Sequence, residues 1–154
     1  MRMQLLGPVL GLLVLGLVGG CGGMGGEDVS MGMPDDGAAG ATVVAEGRFE
    51  GRRRYDTSGG FTIERAGGDL SLVLDDDFET EQGPDLWVVL SPVDTSRVSA
   101  QNVETEGAVV VDSLRSVAGR QTYALRNGTP VDSLMSVALH CREFDALFGV
   151  APLE

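Results

Sequence analysis

Cys141 and its neighbour His140 are the first residues in this chain of 154 whose types suggest chemistry. A thiolate is a nucleophile and a redox group, whereas a neutral free cysteine packs as a small buried hydrophobe. Cys141 falls on the same strand face as Val137 and Leu139, so the residues alone leave both roles open. Arg142 beside it favours the thiolate and the acidic surroundings oppose it. With no second thiol nearby, oxidation of Cys141 stops at a sulfenic acid or at a mixed disulfide with another molecule. His140 is the single histidine. Adjacent strand residues point to opposite faces, which excludes a thiolate–imidazole dyad and a metal shared by the two within one chain. No Gly-x-Ser-x-Gly elbow is present, so a serine hydrolase has no support.

Other polar clusters carry less. The run Asp75-Asp-Asp-Phe-Glu-Thr-Glu81 offers oxygen ligands, but its spacing is not that of a calcium loop and it lacks the glycine such a turn needs. It reads as a solvated acidic loop, and Arg52-Arg53-Arg54 reads as a charged turn. Met24, Met31 and Met33 are soft thioethers scattered in a glycine-rich stretch, weak support for Cu(I) binding. No metal site and no cofactor is assigned.

A second cysteine has a different use. Arg2 is followed by a mostly apolar run from Leu5 to Val18 and then by Gly19-Gly20-Cys21. That order is a charged start, an apolar core and a small-residue cleavage site. The apolar run is too short to span a bilayer, and Gly7, Pro8, Gly11 and Gly16 weaken it as a helix. Val18-Gly19-Gly20-Cys21 resembles a lipobox, which implies cleavage before Cys21 and lipid on its sulfur. Two or three acyl chains, at about 0.8 kcal/mol per buried methylene, make a stable anchor. Residues 1–20 are thus expected to be a lipoprotein signal peptide. Residues 21–41, glycine-rich and acidic, are expected to be a lipidated flexible tether that buries too little to offset its ordering entropy. Gly22, where an aspartate would retain such a protein at the inner membrane, implies the outer membrane, facing the periplasm or the cell surface.

Net charge is −12, and all eleven basic residues are arginine. Such a field repels phosphates, so nucleic acid is excluded as a partner. One thiol after lipidation allows no internal disulfide, and stability must come from an apolar core.

The elements that would position Cys141 have a period of two. Phe61 and Ile63 alternate with Thr62 and Glu64; Leu70, Leu72 and Leu74 repeat the pattern; Met135, Val137, Leu139 and Cys141 alternate with Ser136, Ala138 and His140. Asp85-Leu-Trp-Val-Val-Leu-Ser91 is apolar on both faces, which suits a central strand and predicts a buried Trp87. Turn residues separate the runs at Ser58-Gly59-Gly60, Gly67-Gly68, Gly83-Pro84, Gly119 and Asn127-Gly128. Residues 42–154 are expected to form one all-β domain, an antiparallel sandwich or barrel of about seven or eight strands, with Pro92 to Gly107 as its long loop. Val111-Asp-Ser-Leu-Arg-Ser-Val-Ala118 echoes Val131-Asp-Ser-Leu-Met-Ser-Val-Ala138, too briefly to make a repeat architecture.

Gly47-Arg-Phe49, Ser58-Gly-Gly-Phe-Thr-Ile63, Gly83-Pro-Asp-Leu-Trp-Val-Val-Leu-Ser91, Leu114 to Tyr123 and Ser136-Val-Ala-Leu-His-Cys-Arg-Glu-Phe144 follow in order. Together they resemble the DM-thirteen domain. The resemblance implies an exported, β-rich domain associated with electron transfer at cell surfaces, its late cysteine, here Cys141, being the suggested redox group. The family mostly places tryptophan where this chain has His140. The resulting expectation is a membrane-anchored extracytoplasmic lipoprotein acting as a redox accessory through Cys141, with an envelope or redox protein as partner. The alternative is a non-catalytic envelope-binding module whose Cys141 is structural.

Overall fold

The computed structural model describes residues 40–154. The expected signal peptide, the lipid-bearing Cys21 and the tether with its three methionines lie outside the described residues. Within them, no helix is long and apolar enough to cross a membrane.

Alternating apolar residues separated by glycine turns account for the longer of the eleven strands among the described residues: β1 (Ala41–Arg48), β2 (Glu50–Gly51), β3 (Thr57–Ser58), β4 (Gly60–Ala66), β5 (Asp69–Leu74), β6 (Glu79–Thr80), β7 (Leu86–Ser91), β8 (Val109–Ser113), β9 (Gln121–Leu125), β10 (Ser136–Cys141) and β11 (Ala146–Pro152). The class is all-β, as the period of two requires. The count exceeds seven or eight because three of the strands, β2, β3 and β6, are two-residue pairings that leave no periodic trace in a sequence. Among the described residues the single helical turn is 3-10, at Val131–Ser133.

All ladders are antiparallel. One sheet has the order β1-β4-β5-β9, the other β2-β11-β10-β7-β8, and β3 pairs with β6. Phe61, Ile63, Leu70, Leu72, Leu74 and Tyr123 from the first sheet share a buried cluster with Val88, Leu90, Val137, Leu139 and Phe148 from the second. Each such side chain contributes roughly 1.5–3 kcal/mol on burial, so this shared core holds the two sheets face to face. Backbone hydrogen bonds between Glu46 and Glu154, 2.9 and 3.0 Å, pin the chain's end to β1.

The second sheet is covered on its outer side as well. Val89, Val103, Ala138, Leu147 and Val150 form a smaller buried cluster there. Val103 comes from the Pro92–Gly107 segment, which contains neither strand nor helix and folds over the outer face. That cover explains why every residue of β10 is buried, including polar Ser136, whose Oγ donates to the Val93 carbonyl at 2.7 Å. Two expectations need correction. Trp87 lies near the margin of this cover and is only partly buried, and Met135 precedes β10 and is exposed, because the chain enters the strand one residue later. The two echo copies hold different places, one in β8 and the segment after it, the other in the 3-10 turn and β10.

Phe148 is an extra residue in β11: Leu139 pairs with Gly149 and His140 with Leu147. This bulge turns the Phe148 ring into the inter-sheet core. Next to it, Gly149 leaves room for β3. A Cβ there would meet the Thr57 side chain at 2.6 Å, and Thr57 uses that closeness to donate from Oγ1 to the Phe148 carbonyl at 3.0 Å.

Candidate functional site

Cys141 is the last residue of β10, paired with Leu86 at the start of β7 and Ala146 at the start of β11. It therefore sits where three central strands end together. Alternation turns its side chain inward with Val137 and Leu139, and its relative exposure is 0%. Among the described residues it is in no disulfide, and it sits at the strand-end margin of the core.

His140 faces the other way, as strand alternation requires. It is 6% exposed, and its Nδ1 lies 2.9 Å from Glu104 Oε1. A carboxylate only accepts, so Nδ1 carries the hydrogen and donates. Nε2 is buried without a hydrogen-bond partner, 3.9 Å from Asp145 Oδ1. Arg142 completes the group: its Nε and Nη2 donate to the two oxygens of Glu104 at 2.9 and 2.8 Å. The guanidinium carbon also stands 4.2 Å from the centre of the Trp87 ring, whose Nε1 donates to Asp85 at 2.7 Å. The hydrogen bonds from Arg142, then that from His140, hold the Glu104 carboxyl below its usual range against the opposing effect of burial.

Glu104 belongs to the Pro92–Gly107 segment, so this network clasps that segment to the turn after β10. Arg142 is committed to Glu104 and Trp87 on the outer side of the sheet, whereas the thiol lies on the inner side. The arginine whose adjacency sets it against the acidic surroundings of Cys141 in the sequence anchors a loop in the structure. Glu104 was not visible as a site residue, since nothing in a polar loop marks the one carboxylate that will meet a strand 36 residues away.

The remaining candidates lie elsewhere. In the acidic run, Asp77 accepts from the Gly60 amide at 3.0 Å and from Arg48 at 2.6 Å, and these hold its carboxyl low. Burial, then the charge of Asp77, pushes the Asp75 carboxyl up. Among the described residues no three His, Cys, Asp or Glu side chains are grouped to hold a metal ion. Arg52 donates to the Thr95 carbonyl, Arg53 adopts a left-handed backbone at φ 59°, and Arg54 reaches the Tyr55 hydroxyl at 3.3 Å.

With the thiol fully buried, a reagent in solution can form a bond to the Cys141 sulfur only when the strand end opens, whereas the outer-face clasp and its surroundings are open to surface binding. Compared with known proteins, residues 48–153 match the family model described as Electron transfer DM13, which spans the whole arrangement from the end of β1 to the end of β11. No curated protein and no solved structure matches the chain. The family model suggests an electron-transfer-associated role, and the chain belongs to the electron transfer DM13 family.

Proposed function

We propose that this chain is a lipoprotein held by Cys21 on a membrane of the bacterial envelope, outside the cytoplasm, and that its domain assists electron transfer there with Cys141 as the redox group. The observation that carries the reading is the family match over 48–153, whose one cysteine is Cys141. Its position supports the idea: a residue at the common end of β7, β10 and β11 is exposed by fraying of those ends, which costs less than unfolding the sheet. The redox step is then gated by opening rather than constant.

The complete burial of Cys141 favours a second reading, in which the thiol is core packing and the domain binds an envelope component. Thiol labelling of the intact protein separates the two. Gated reactivity gives a native-state labelling rate that stays flat at low denaturant and only later rises. A structural thiol gives a rate with the full denaturant dependence of global unfolding from the start, and Cys141→Ala then leaves the cellular phenotype unchanged. Anchoring is tested by Cys21→Ser: the variant should leave the membrane fraction, and retention there overturns the lipid assignment. Separation of inner from outer membranes tests the outer-membrane placement.

A further inference from the structure

We propose that the cleft between the Arg52–Tyr55 turn and the β10–β11 turn binds a planar aromatic anion. The cleft holds about 660 Å³, within the span of small-molecule sites. Arg53 and Arg54 from the first turn and Phe144 from the second line it. Arg48, Arg97, Arg115 and Arg142 are each paired with a carboxylate, at Asp77, Asp94, Asp112 and Glu104; of the six described arginines without such a pair, Arg53 and Arg54 are the two that line this cleft. Arg53 has no hydrogen bond or ion pair among the described residues, and Arg54 donates only to the Tyr55 hydroxyl, with Glu81 a minor charge nearby. Two guanidinium groups without carboxylate partners make a local positive site on a chain of net charge −12, and the anion is the charge they complement.

The aromatic half of the specificity comes from Phe144, 54% exposed, more than any other large apolar side chain among the described residues. A flat ligand ring covers its face and removes apolar area from water. One carboxylate, Asp145, also lines the cleft; its Oδ2 accepts from Gln101 at 2.9 Å and its Oδ1 lies 3.9 Å from His140 Nε2 without a hydrogen bond, so its charge remains and directs the ligand's anionic group toward Arg53 and Arg54. Arg53 and Asp145, at φ 59° and 46°, are the two non-glycine residues with left-handed backbones among the described residues, and both line this cleft. Such strain persists where the surroundings impose it, often at binding sites.

The proposal rests in part on the electron-transfer reading, since it names what that reading would bring to the domain. Tyr55, on the cleft wall, stacks on Phe148 with ring centres 3.7 Å apart, and Phe148 belongs to the same buried cluster as Cys141. A planar anion in the cleft is therefore placed beside an aromatic pair that leads into the core holding the thiol.

The test is equilibrium dialysis of the full chain, in non-ionic detergent at low ionic strength, with anthraquinone disulfonate as probe. The probe should bind, and the Arg53→Ala, Arg54→Ala double variant should weaken it about tenfold or more. Phe144→Ala should weaken it severalfold, added salt should weaken it progressively, and Arg53→Glu should abolish it. Inorganic sulfate and methyl viologen, a planar dication, should not displace it at equal concentration. These side chains are exposed, so circular dichroism should be unchanged. Binding that survives the double arginine variant, or displacement by sulfate or viologen, overturns the proposal. Cys141→Ala should leave probe binding intact, so failure of the thiol's redox role and failure of the cleft are told apart.

Discussion

Removing Glu104 should cost the domain about 2–3 kcal/mol, because one carboxylate satisfies three donors across a gap of 36 and 38 residues. A hydrogen bond to a charged group is worth roughly 1.5–3 kcal/mol net. The three are not additive here, since the Arg142 side chain is 36% exposed and recovers water when its partner is lost. His140 does not: at 6% exposure its Nδ1 would join Nε2 as a buried polar atom without a partner. Glu104→Ala should therefore lower the urea midpoint at neutral pH, read from Trp87 emission, with an unchanged slope, and lower Tm by roughly 10 °C. Glu104→Gln should recover only part, because the amide keeps an acceptor but loses the charge. The effect also has a defined pH sign. The folded carboxyl is held below its ordinary value of 4.5, so its contribution is complete above about that pH and is lost as pH falls through the lower folded value. The gap between wild type and Glu104→Gln should accordingly close in acid. A loss below about 0.5 kcal/mol at pH 7, or a gap that widens in acid, would refute the clasp.

Three further outcomes are expected. Gly149→Ala places a Cβ 2.6 Å from the Thr57 side chain and should cost about 1–3 kcal/mol, measured by thermal unfolding; a neutral result would mean that β3 is free to move away. Cys141→Ser should destabilise more than Cys141→Ala, since a hydroxyl in an apolar cluster costs roughly 1–3 kcal/mol unless it finds a partner, and equal losses in urea titrations would argue against that surrounding. Trp87, partly buried under Arg142, should show native emission between fully buried and water-like values, moving to the red on unfolding; Arg142→Ala should shift the native emission red by itself.

What the sequence made legible follows the range of the forces involved. The alternation of Phe61 and Ile63, of Leu70, Leu72 and Leu74, and of Val137, Leu139 and Cys141 is local, and these side chains do lie in the inter-sheet core. The same alternation correctly put His140 and Cys141 on opposite faces. Two-residue strands such as β2 and β3 have no period to detect; they rest on the close approach of Gly51, Thr57 and Gly149, residues far apart in sequence. The role of Arg142 was hidden for a similar reason. Its neighbour in sequence is the thiol, but backbone alternation sends the guanidinium outward, where a loop carboxylate and an indole ring meet it. Trp87 departs from expectation at the same place, for a central strand is buried on its outer face only as far as Val103 and its loop extend.

These departures converge on the end of β10. The residues that hold the Pro92–Gly107 segment, His140 and Arg142, flank the thiol in sequence, so the backbone that must move to expose Cys141 is the backbone that the clasp restrains. Breaking the clasp should then do more than destabilise the fold. If the thiol is gated by local opening, Glu104→Ala should raise its native-state labelling rate beyond the increase expected from lower global stability, because opening of the strand end loses its restraint first. A labelling rate that changes only in proportion to global stability would show that Cys141 and the clasp share a strand without sharing a motion, and would favour the structural reading of the thiol.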